Sequence, residues 1–534
     1  MRFFIVFGTT ILFFSCAQPL NPAGGPKDIK PPRAIKYIPD SAAKNFSAKN
    51  IVIVFDEYIQ LNDIQKQLVI SPPMSIQPEV KAKGKILLVE LKDSLRKNTT
   101  YTFNFGNSIR DFTEANAKED FQYVFSTGSY IDSLKLSGTV KNAFDLKTDK
   151  GILVMLYDTY EDSVPCKKLP SYFTKTKGDG SYKINNIRPG TYKAFSLKDV
   201  NNNYLYDVPA ENIAFSDSLI KIAKNTKLDL QMFKEEPKKQ RMLKNFVRGY
   251  GSIFLAYTKP VTNISYKPMN SGTKTETFLS EFNERRDTVQ VWFPAFGNDS
   301  LHFKVMVDDN AIDTLKICTC LFDKAKQGRG EAFKLNAIIN VKKDQLFDYT
   351  NDISLKFNHP INNAKTNEIN LTSNGNKINF TNTIFSDSIK RNFLFHYPLI
   401  QDSSYQLFIP PAVFTDIFGL ASDTIKLDFR AQEEKYYGTL KLTLKMKSKI
   451  KYILQLMNEK GEVFDCASSN KGVFSYQYLS PGSYKLRIIH DKNGDDKWTT
   501  GNYFEKKKPE TVIYYPSPIT IRSNWDLELD WKVE

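Results

Sequence analysis

The sequence predicts an all-β chain, a tandem array of about five β-sandwich domains, and three observations carry that prediction. Aromatic residues make up 13% of the 534 residues, with 39 Phe and 27 Tyr, a composition that favours strands. Short alternating or β-branched runs recur at regular spacing with turn residues between them, the pattern of a sandwich. The third is an internal repeat. PGSYKLRIIHDKNGDDKWTTG, Pro481 to Gly501, matches PGTYKAFSLKDVNNNYLYD, Pro189 to Asp207, without a gap. Gly190 lies under Gly482, Tyr192 under Tyr484, Asp199 under Asp491, Asn201 under Asn493, Asn203 under Asp495 and Tyr206 under Trp498. Each copy is an alternating strand running into an Asp/Asn-rich loop, so one β-module has been used twice.

Taken in order, the chain opens with MRFFIVFGTTILFFSC, one Arg and an apolar run ending at Ser15-Cys16. The run is too short for a membrane-spanning helix, which needs about 20 residues, and reads as a signal peptide over 1–16. Its close resembles a bacterial lipobox, with Phe13 and Phe14 departing from the usual pattern. The resemblance implies that Cys16 becomes the acylated first residue and that the membrane is met through an N-terminal lipid. The alternative is a plain secretory signal with an incidental Cys. Residues 17–32 hold five prolines and two glycines without periodicity and read as a tether.

Strand signals begin at Arg33. KNIVIVFDEYIQL, KILLVEL, TTYTFNFG and FQYVFSTG complete a first sandwich over 33–128. Its Pro31-Pro32 opening, Phe55-Asp56-Glu57-Tyr58-Ile59, the Thr99–Phe103 strand, Asp111 and the closing Phe125-Ser126-Thr127-Gly128 resemble the SbsA-type bacterial Ig-like domain. Residues 133–235 hold SGTVKN, GILVMLYD and GSYKINNIRPGTYKAFSLKD. The stretch Gly180 to Tyr192 resembles the transthyretin-like, carboxypeptidase-regulatory-like sandwich, an accessory module that implies no activity. KEEPKKQR, 234–241, reads as a charged hinge. Residues 242–330 alternate through GSIFLAYTK, TVQVWFPA, LHFKVMVDD and DTLKICTC, so a further Ig-like sandwich is the simplest reading, with a linker at 324–333.

The first pair then returns. In 334–432, Phe357 falls over Phe55, Ile361 over Ile59, Tyr405 over Tyr101, Asp416 over Asp111 and Phe429 over Phe125, a second SbsA-type Ig-like domain. Residues 434–534 repeat the transthyretin-like module, with Gly438 over Gly138 and Cys466 over Cys166. Separable sandwiches are expected, with proteolysis first in the tether and then near Pro237 or Arg329.

The Asp/Asn loops are the candidate chemistry. Asp199, Asn201, Asn203 and Asp207, and Asp491, Asn493, Asp495 and Asp496, space oxygen ligands as a calcium loop does at its first, third and fifth positions. Calcium is thus the candidate cofactor. Tyr204 and Asp496 stand where such a loop wants Gly, and Ala210 and Asn502 replace its bidentate Glu. The other reading is that Asp and Asn fold back on their own backbone and simply make the turn.

Other functions find less support. No G-x-S-x-G or H-E-x-x-H appears, and His302, His359, His396 and His490 sit in separate strands, so an enzyme is not expected. Asp56 and Glu57, as adjacent strand residues, would point to opposite faces. Four later cysteines, Cys166, Cys318, Cys320 and Cys466, do not make a disulfide scaffold, and Cys318-x-Cys320 lacks nearby partners for a metal. Trp292, Trp498, Trp525 and Trp531 are candidates for a carbohydrate platform, although Trp scattered in strands is usually core. The formal charge of +15 comes from 74 Lys and Arg spread along the whole chain without a nucleic-acid-binding motif, so no nucleic-acid partner is expected.

As a whole the chain resembles Bacteroidetes-type lipoproteins that carry an SbsA-type domain behind a GGPKD tether, here Gly24 to Asp28. The resemblance implies a lipid-anchored structural or interaction protein of the outer membrane, with other outer-membrane or cell-envelope proteins as partners. The alternative is a surface lipoprotein that binds carbohydrate or another ligand for nutrient capture. Which face of the membrane it occupies stays open.

Overall fold

A computed structural model describes residues 28–207, 210–269, 275–294, 300–318, 334–342, 345–378, 383–446, 451–469 and 472–533. The signal peptide, Cys16, most of the tether, Cys320 and the linker at 324–333 lie outside the described residues. The fold is all-β, as expected, and made of sandwiches; among the described residues the helical pieces are short turns such as Ile64–Gln67 and Val164–Lys167. The chain divides into two compact units: the described parts of Met1–Asn142, Lys147–Asp207 and Glu211–Met232, and those of Ala143–Leu146, Val208–Ala210 and Phe233–Glu534.

In the first unit, one sheet orders Ala34–Ile38, Asn50–Phe55, Ile86–Glu90 and Glu79–Lys83, and a facing sheet orders Val69–Ser71, Thr100–Asn104 and Gln122–Ser126. Asn50–Phe55 shows how the sequence makes this layer: alternate residues Ile51, Ile53 and Phe55 are buried, as period-two alternation demands of a strand with one dry face. Between the sheets Tyr101 stacks on Phe125 with centroids 5.4 Å apart, and its hydroxyl accepts the Arg96 backbone N–H at 2.9 Å. That geometry ties the strand to the loop before it, as a tyrosine corner does.

The following sandwich pairs its opening strand Leu134–Asn142 antiparallel with Ser181–Ile187 and parallel with Leu230–Lys234. In the other sheet layer Leu153–Tyr157 pairs antiparallel with Gly190–Leu197. Gly138 opens this sandwich where nothing larger fits, since a Cβ there would stand 1.7 Å from the Leu228 carbonyl oxygen. The two sandwiches of this unit are bonded together. Buried Asp132 accepts the Thr100 hydroxyl at 2.9 Å, Thr102 meets Asn186 at 3.2 Å, and Ser71 accepts the Phe173 N–H at 3.1 Å. Asn186 can serve because it sits in the left-handed region, φ 58°, which Asn tolerates better than most residues.

In the second unit, Ile253, Leu255, Val289, Val291, Phe303 and Val305 form a core between the sheet Met242–Gly249, Ser252–Tyr257, Thr288–Trp292, Leu279–Phe282 and the sheet Ile264–Pro268, Ser300–Val307, Asn310–Cys318. A separate core gathers Ile353, Leu355, Phe357, Phe393, Leu407 and Phe429. There Tyr405 stacks on Phe429 at 5.4 Å and accepts the Ile400 N–H at 2.8 Å, reproducing Tyr101. The last core gathers Leu440, Leu442, Leu454, Leu456, Leu486 and Ile488. Its opening strand Gly438–Met446 again pairs antiparallel with a middle strand, Val473–Leu479, and parallel with the final one, Asp526–Val533. Tyr484 and Tyr192 repeat one bond, each donating to a carbonyl four residues back, Ser480 at 2.9 Å and Arg188 at 2.8 Å.

One sequence reading is corrected here. The charged run at 234–241 begins inside the fold: Lys234 ends a strand, and Glu235, 2% exposed, accepts the Tyr503 N–H at 2.6 Å. Its composition resembles a hinge because one buried acid is hidden among exposed lysines. The first two sandwiches also share polar bonds at their junction, which the reading as separable sandwiches does not anticipate. Replacing Tyr101 or Tyr405 with Phe keeps the ring stack but leaves a backbone N–H without its acceptor. Each change should lower stability by about 1–2 kcal/mol, read as a shift in the urea midpoint of the transition it reports.

Candidate functional site

The two Asp/Asn loops adopt one geometry. Asp199 Oδ1 accepts the N–H groups of Asn202 and Asn203 at 2.7 and 3.3 Å, and its Oδ2 accepts that of Tyr204 at 2.9 Å. Asp491 does the same for Gly494, Asp495 and Asp496 at 2.7, 3.1 and 3.1 Å. Both loops are left-handed at the third and fifth residues after the Asp: Asn202 φ 61° and Tyr204 φ 61°, Gly494 φ 76° and Asp496 φ 59°. The residues that stand in the place of a calcium loop's Gly therefore do adopt a glycine-like backbone.

Each loop is closed by a buried glutamate that spacing alone does not reveal. Glu211, 2% exposed, accepts the N–H groups of Val200 and Asp207 at 2.8 and 3.1 Å. Glu510, 4% exposed, accepts those of Lys492 and Thr499 at 2.7 and 2.9 Å. These backbone positions match, one and eight residues after the Asp, although the glutamates stand at different distances along the chain. The residues between Thr499 and Glu510 include the turn around Asn502–Lys507, which removes any common spacing.

The remaining ligand candidates turn toward each other. Asn201 and Asn203 both donate to Asp207, at 2.6 and 3.0 Å, and Asn493 donates to Asp495 and to Thr499 at 3.0 and 2.8 Å. Lys451 supplies the positive charge at the second loop, 2.6 Å from Asp496 and 3.6 Å from Asp491. Its hydrogen bond holds the Asp496 carboxyl below the usual range, and its own pKa is raised in return. Among the described residues no three His, Cys, Asp or Glu side chains are arranged to hold a metal ion. In Asp199, Asn201, Asn203 and Asp207, and in Asp491, Asn493, Asp495 and Asp496, the side chains fold back on the loop backbone and on one another, which is the turn geometry of the second reading. Backbone N–H groups meet the carboxylates of both Asp199 and Asp491, and Lys451 adds its charge at the second loop.

The other candidates are equally committed to structure. Asp416 accepts the N–H groups of Phe418 and Leu420 at 2.9 and 2.8 Å and meets His359 Nδ1 at 2.7 Å. The other imidazole nitrogen faces Asn358 at 3.5 Å, and the rings of Trp292 and Phe418 flank it. The His359–Asp416 pair thus ties the loop after Phe357 to the loop around Phe418. Asp111, the counterpart of Asp416, gathers Glu114, Ala115 and Asn116. Burial works to raise its pKa, and those N–H bonds outweigh it and lower it. Asp56 is engaged by Arg33 at 2.9 Å, whereas burial and then Asp111 raise the pKa of Glu57. These two acids lie just beyond the strand that ends at Phe55. Cys318 is disulfide-bonded and is no thiolate ligand; Cys166 and Cys466 keep their thiols outside any disulfide. Trp292 and Trp531 are buried and Trp498 is half-buried, with its N–H on the Glu510 carbonyl at 3.0 Å, while Trp525 is exposed. The four do not form a common platform.

An open groove of about 580 Å³ lies on the Ig-like sandwich of the second unit. Thr372, Gln406, Asp428 and Arg430 line it with Leu346 at the side, and Gln406 donates to Asp428 at 2.6 Å.

Residues 28–127 match the bacterial Ig-like domain family. No curated protein sequence matches the chain. Among solved structures, the chain is similar to the Bacillus anthracis TIE protein at 10% identity, covering 96% of this chain and 76% of that one with a TM-score of 0.15. It is similar to the S-layer protein rSbsC at 10% identity, covering 84% and 63%, TM-score 0.14. It is also similar to the Bacteroides ovatus mixed-linkage glucan utilization locus protein SGBP-B, solved with a mixed-linkage heptasaccharide, at 9% identity, covering 74% and 94%, TM-score 0.17. At such scores these likenesses carry no argument, and the Ig-like assignment rests on the family match and the sandwich geometry.

Two outcomes follow from the loop chemistry. Asp491→Ala strips three backbone N–H groups of their acceptor and should cost about 2–4 kcal/mol, whereas thermal melting of the wild-type chain should be the same in chelator and in excess calcium. A rise in melting temperature on adding calcium would restore the ion reading. The second outcome concerns His490, whose pKa is lowered by burial first and by Lys492 second. A lowered folded pKa gives stability that is full above the unfolded value of about 6.5 and is lost as pH falls through the folded value. The C-terminal sandwich should therefore weaken on acidification below about pH 6.5, and His490→Gln should flatten that part of the unfolding profile.

Proposed function

We propose that this chain is a non-enzymatic, lipid-anchored structural or interaction protein of the outer membrane, acting as a scaffold or accessory subunit of an envelope protein complex. The observation that carries the reading is how the polar chemistry is spent. Buried carboxylates, amides and hydroxyls hold loops and junctions between sandwiches, as at Thr100–Asp132 and Asp416–His359. Within each unit such bonds hold neighbouring sandwiches together, which suits a scaffold. In this reading the sandwiches at 33–128, 133–235, 242–330, 334–432 and 434–534 are presented beyond a short tether, and Cys16 carries the lipid.

The second reading, a surface protein binding carbohydrate or another ligand, is favoured by the groove at Thr372, Gln406, Asp428 and Arg430. Its side chains offer both donors and acceptors to a polyhydroxylated ligand. A detergent-solubilised pull-down with mass spectrometry separates the two. A subunit should bring envelope proteins with it, whereas a ligand-binding protein should purify alone and be retarded on polysaccharide affinity gels. Cys16→Ser should release the chain from the membrane fraction as a folded, soluble protein. Retention of that variant after a high-salt wash would overturn the anchor.

A further inference from the structure

One end of the first Ig-like sandwich collects exposed apolar side chains at the place where the N-terminal segment joins it. Tyr58 is 63% exposed, Phe112 69% and Ile29 81%, with Ile35 and Ile86 bordering them at 64% and 40%. They share a surface by construction. The Phe112 N–H donates to the Tyr58 carbonyl at 3.0 Å, and Asn116, in the Phe112 loop, donates to the Asp28 carbonyl at 2.8 Å. Ile35 and Ile86 lie on the strand ends at that same edge, where Ala34 pairs with Phe55 and Ile86 with Val54. Lys85 rests over the Tyr58 ring at 5.6 Å while bonding the Asp56 carbonyl at 2.7 Å.

Loop tips of this kind are ordinarily polar, and an apolar patch rimmed by charge marks a contact surface. The occupant is indicated by what precedes Asp28. Only 11 residues separate it from Cys16, and the run from Phe3 to Phe14 before them is largely apolar. Extended at about 3.1 Å per residue, those 11 residues keep the tip within about 35 Å of whatever holds Cys16. The ring-bearing residues are Tyr and Phe, amphipathic or apolar side chains suited to the headgroup boundary, with lysine beside them able to reach outward. Charges at the tip are mixed, Lys30, Arg33, Lys83, Lys85 and Arg110 among Asp28, Asp56, Glu57 and Glu114, so both signs border the apolar patch.

From this we infer that the end of the first Ig-like sandwich bearing Ile29, Tyr58 and Phe112 is a lipid-contacting face that seats the array on the bilayer surface. The inference rests on the lipid-anchor reading for its setting, but its test does not. The full chain, wild type and Cys16→Ser, is footprinted with hydroxyl radicals, with and without excess phosphatidylethanolamine–phosphatidylglycerol vesicles, and the oxidation is read by mass spectrometry. Tyr58 and Phe112 should be oxidised severalfold less on vesicles, at low and high salt alike, while exposed Ile76 at the opposite end of the sandwich and Trp525 should be unchanged. Equal oxidation of Tyr58 and Phe112 with and without lipid, in a wild-type chain that sediments with the vesicles, overturns the inference and leaves the anchor intact. Protection in the Cys16→Ser chain, together with a wild type that is not retained in membranes, keeps the lipid-contacting face and removes the anchor. Tyr58→Ser with Phe112→Ser, at positions too exposed to carry the fold, should restore amine labelling of Lys85 on vesicles to its lipid-free level; unchanged labelling counts against the face.

Discussion

A buried or half-buried carboxylate that gathers the backbone N–H groups of the loop after a strand is the interaction on which both kinds of sandwich depend. Asp111 and Asp416 do this in the Ig-like sandwiches, and Asp199 with Glu211 and Asp491 with Glu510 do it in the repeated module. A loop that leaves a sheet has N–H groups with no ladder partner, and burying them unpaired costs about 1–3 kcal/mol each. One carboxylate accepting three of them answers that cost and fixes the loop in a single shape.

Much of the architecture was legible. The period-two runs and the match of Pro189–Asp207 with Pro481–Gly501 depend on local chemistry, alternating burial and Asx-type turns, and local chemistry is what a sequence displays. The candidate site was legible only in part. Asp199 and Asp491 stand out because each calcium-like position is occupied within a few residues, yet the partners that decide their role come from afar. Lys451 is 40 residues before Asp491, and Glu211 and Glu510 follow their loops by unequal intervals. Nor could a composition window separate Glu235, which is buried, from the exposed Glu236 beside it.

The paired sandwiches also show what duplication preserves. Tyr101 and Tyr405 keep the same hydroxyl bond and the same stack, and Tyr192 and Tyr484 keep the same return to a carbonyl four residues back. These bonds lie inside one sandwich and involve no neighbour, so each copy needs them wherever it is placed. Position 57 differs from its counterpart 359 for the opposite reason. Glu57 faces Asp111 as a like charge, whereas His359 pairs with Asp416 and is flanked by Trp292 and Phe418. The first arrangement belongs to an open end, the second to an end packed on another sandwich.

The junction between an Ig-like sandwich and the module after it carries this contrast furthest. Asn186 and its counterpart Tyr478 occupy one left-handed position, φ 58° and 55°. At Asn186 the backbone conformation is inexpensive and the side-chain amide bonds Thr102 and the Asp132 carbonyl. At Tyr478 a bulky residue holds the same conformation at a cost of order 1–3 kcal/mol, and aromatic packing offsets it. Tyr478 meets Tyr349 and Tyr437 edge-on at 5.8 and 5.9 Å, and Tyr437 donates to Asp348 at 2.7 Å. Burial, then Tyr478, push the Tyr349 phenol up to about 12, so that ring stays neutral below that range. The same backbone bend thus serves a hydrogen-bonded joint in one copy and an aromatic joint in the other. What duplication conserved at this point is the direction of the chain, and each joint was then closed with whatever side chains its neighbour offered.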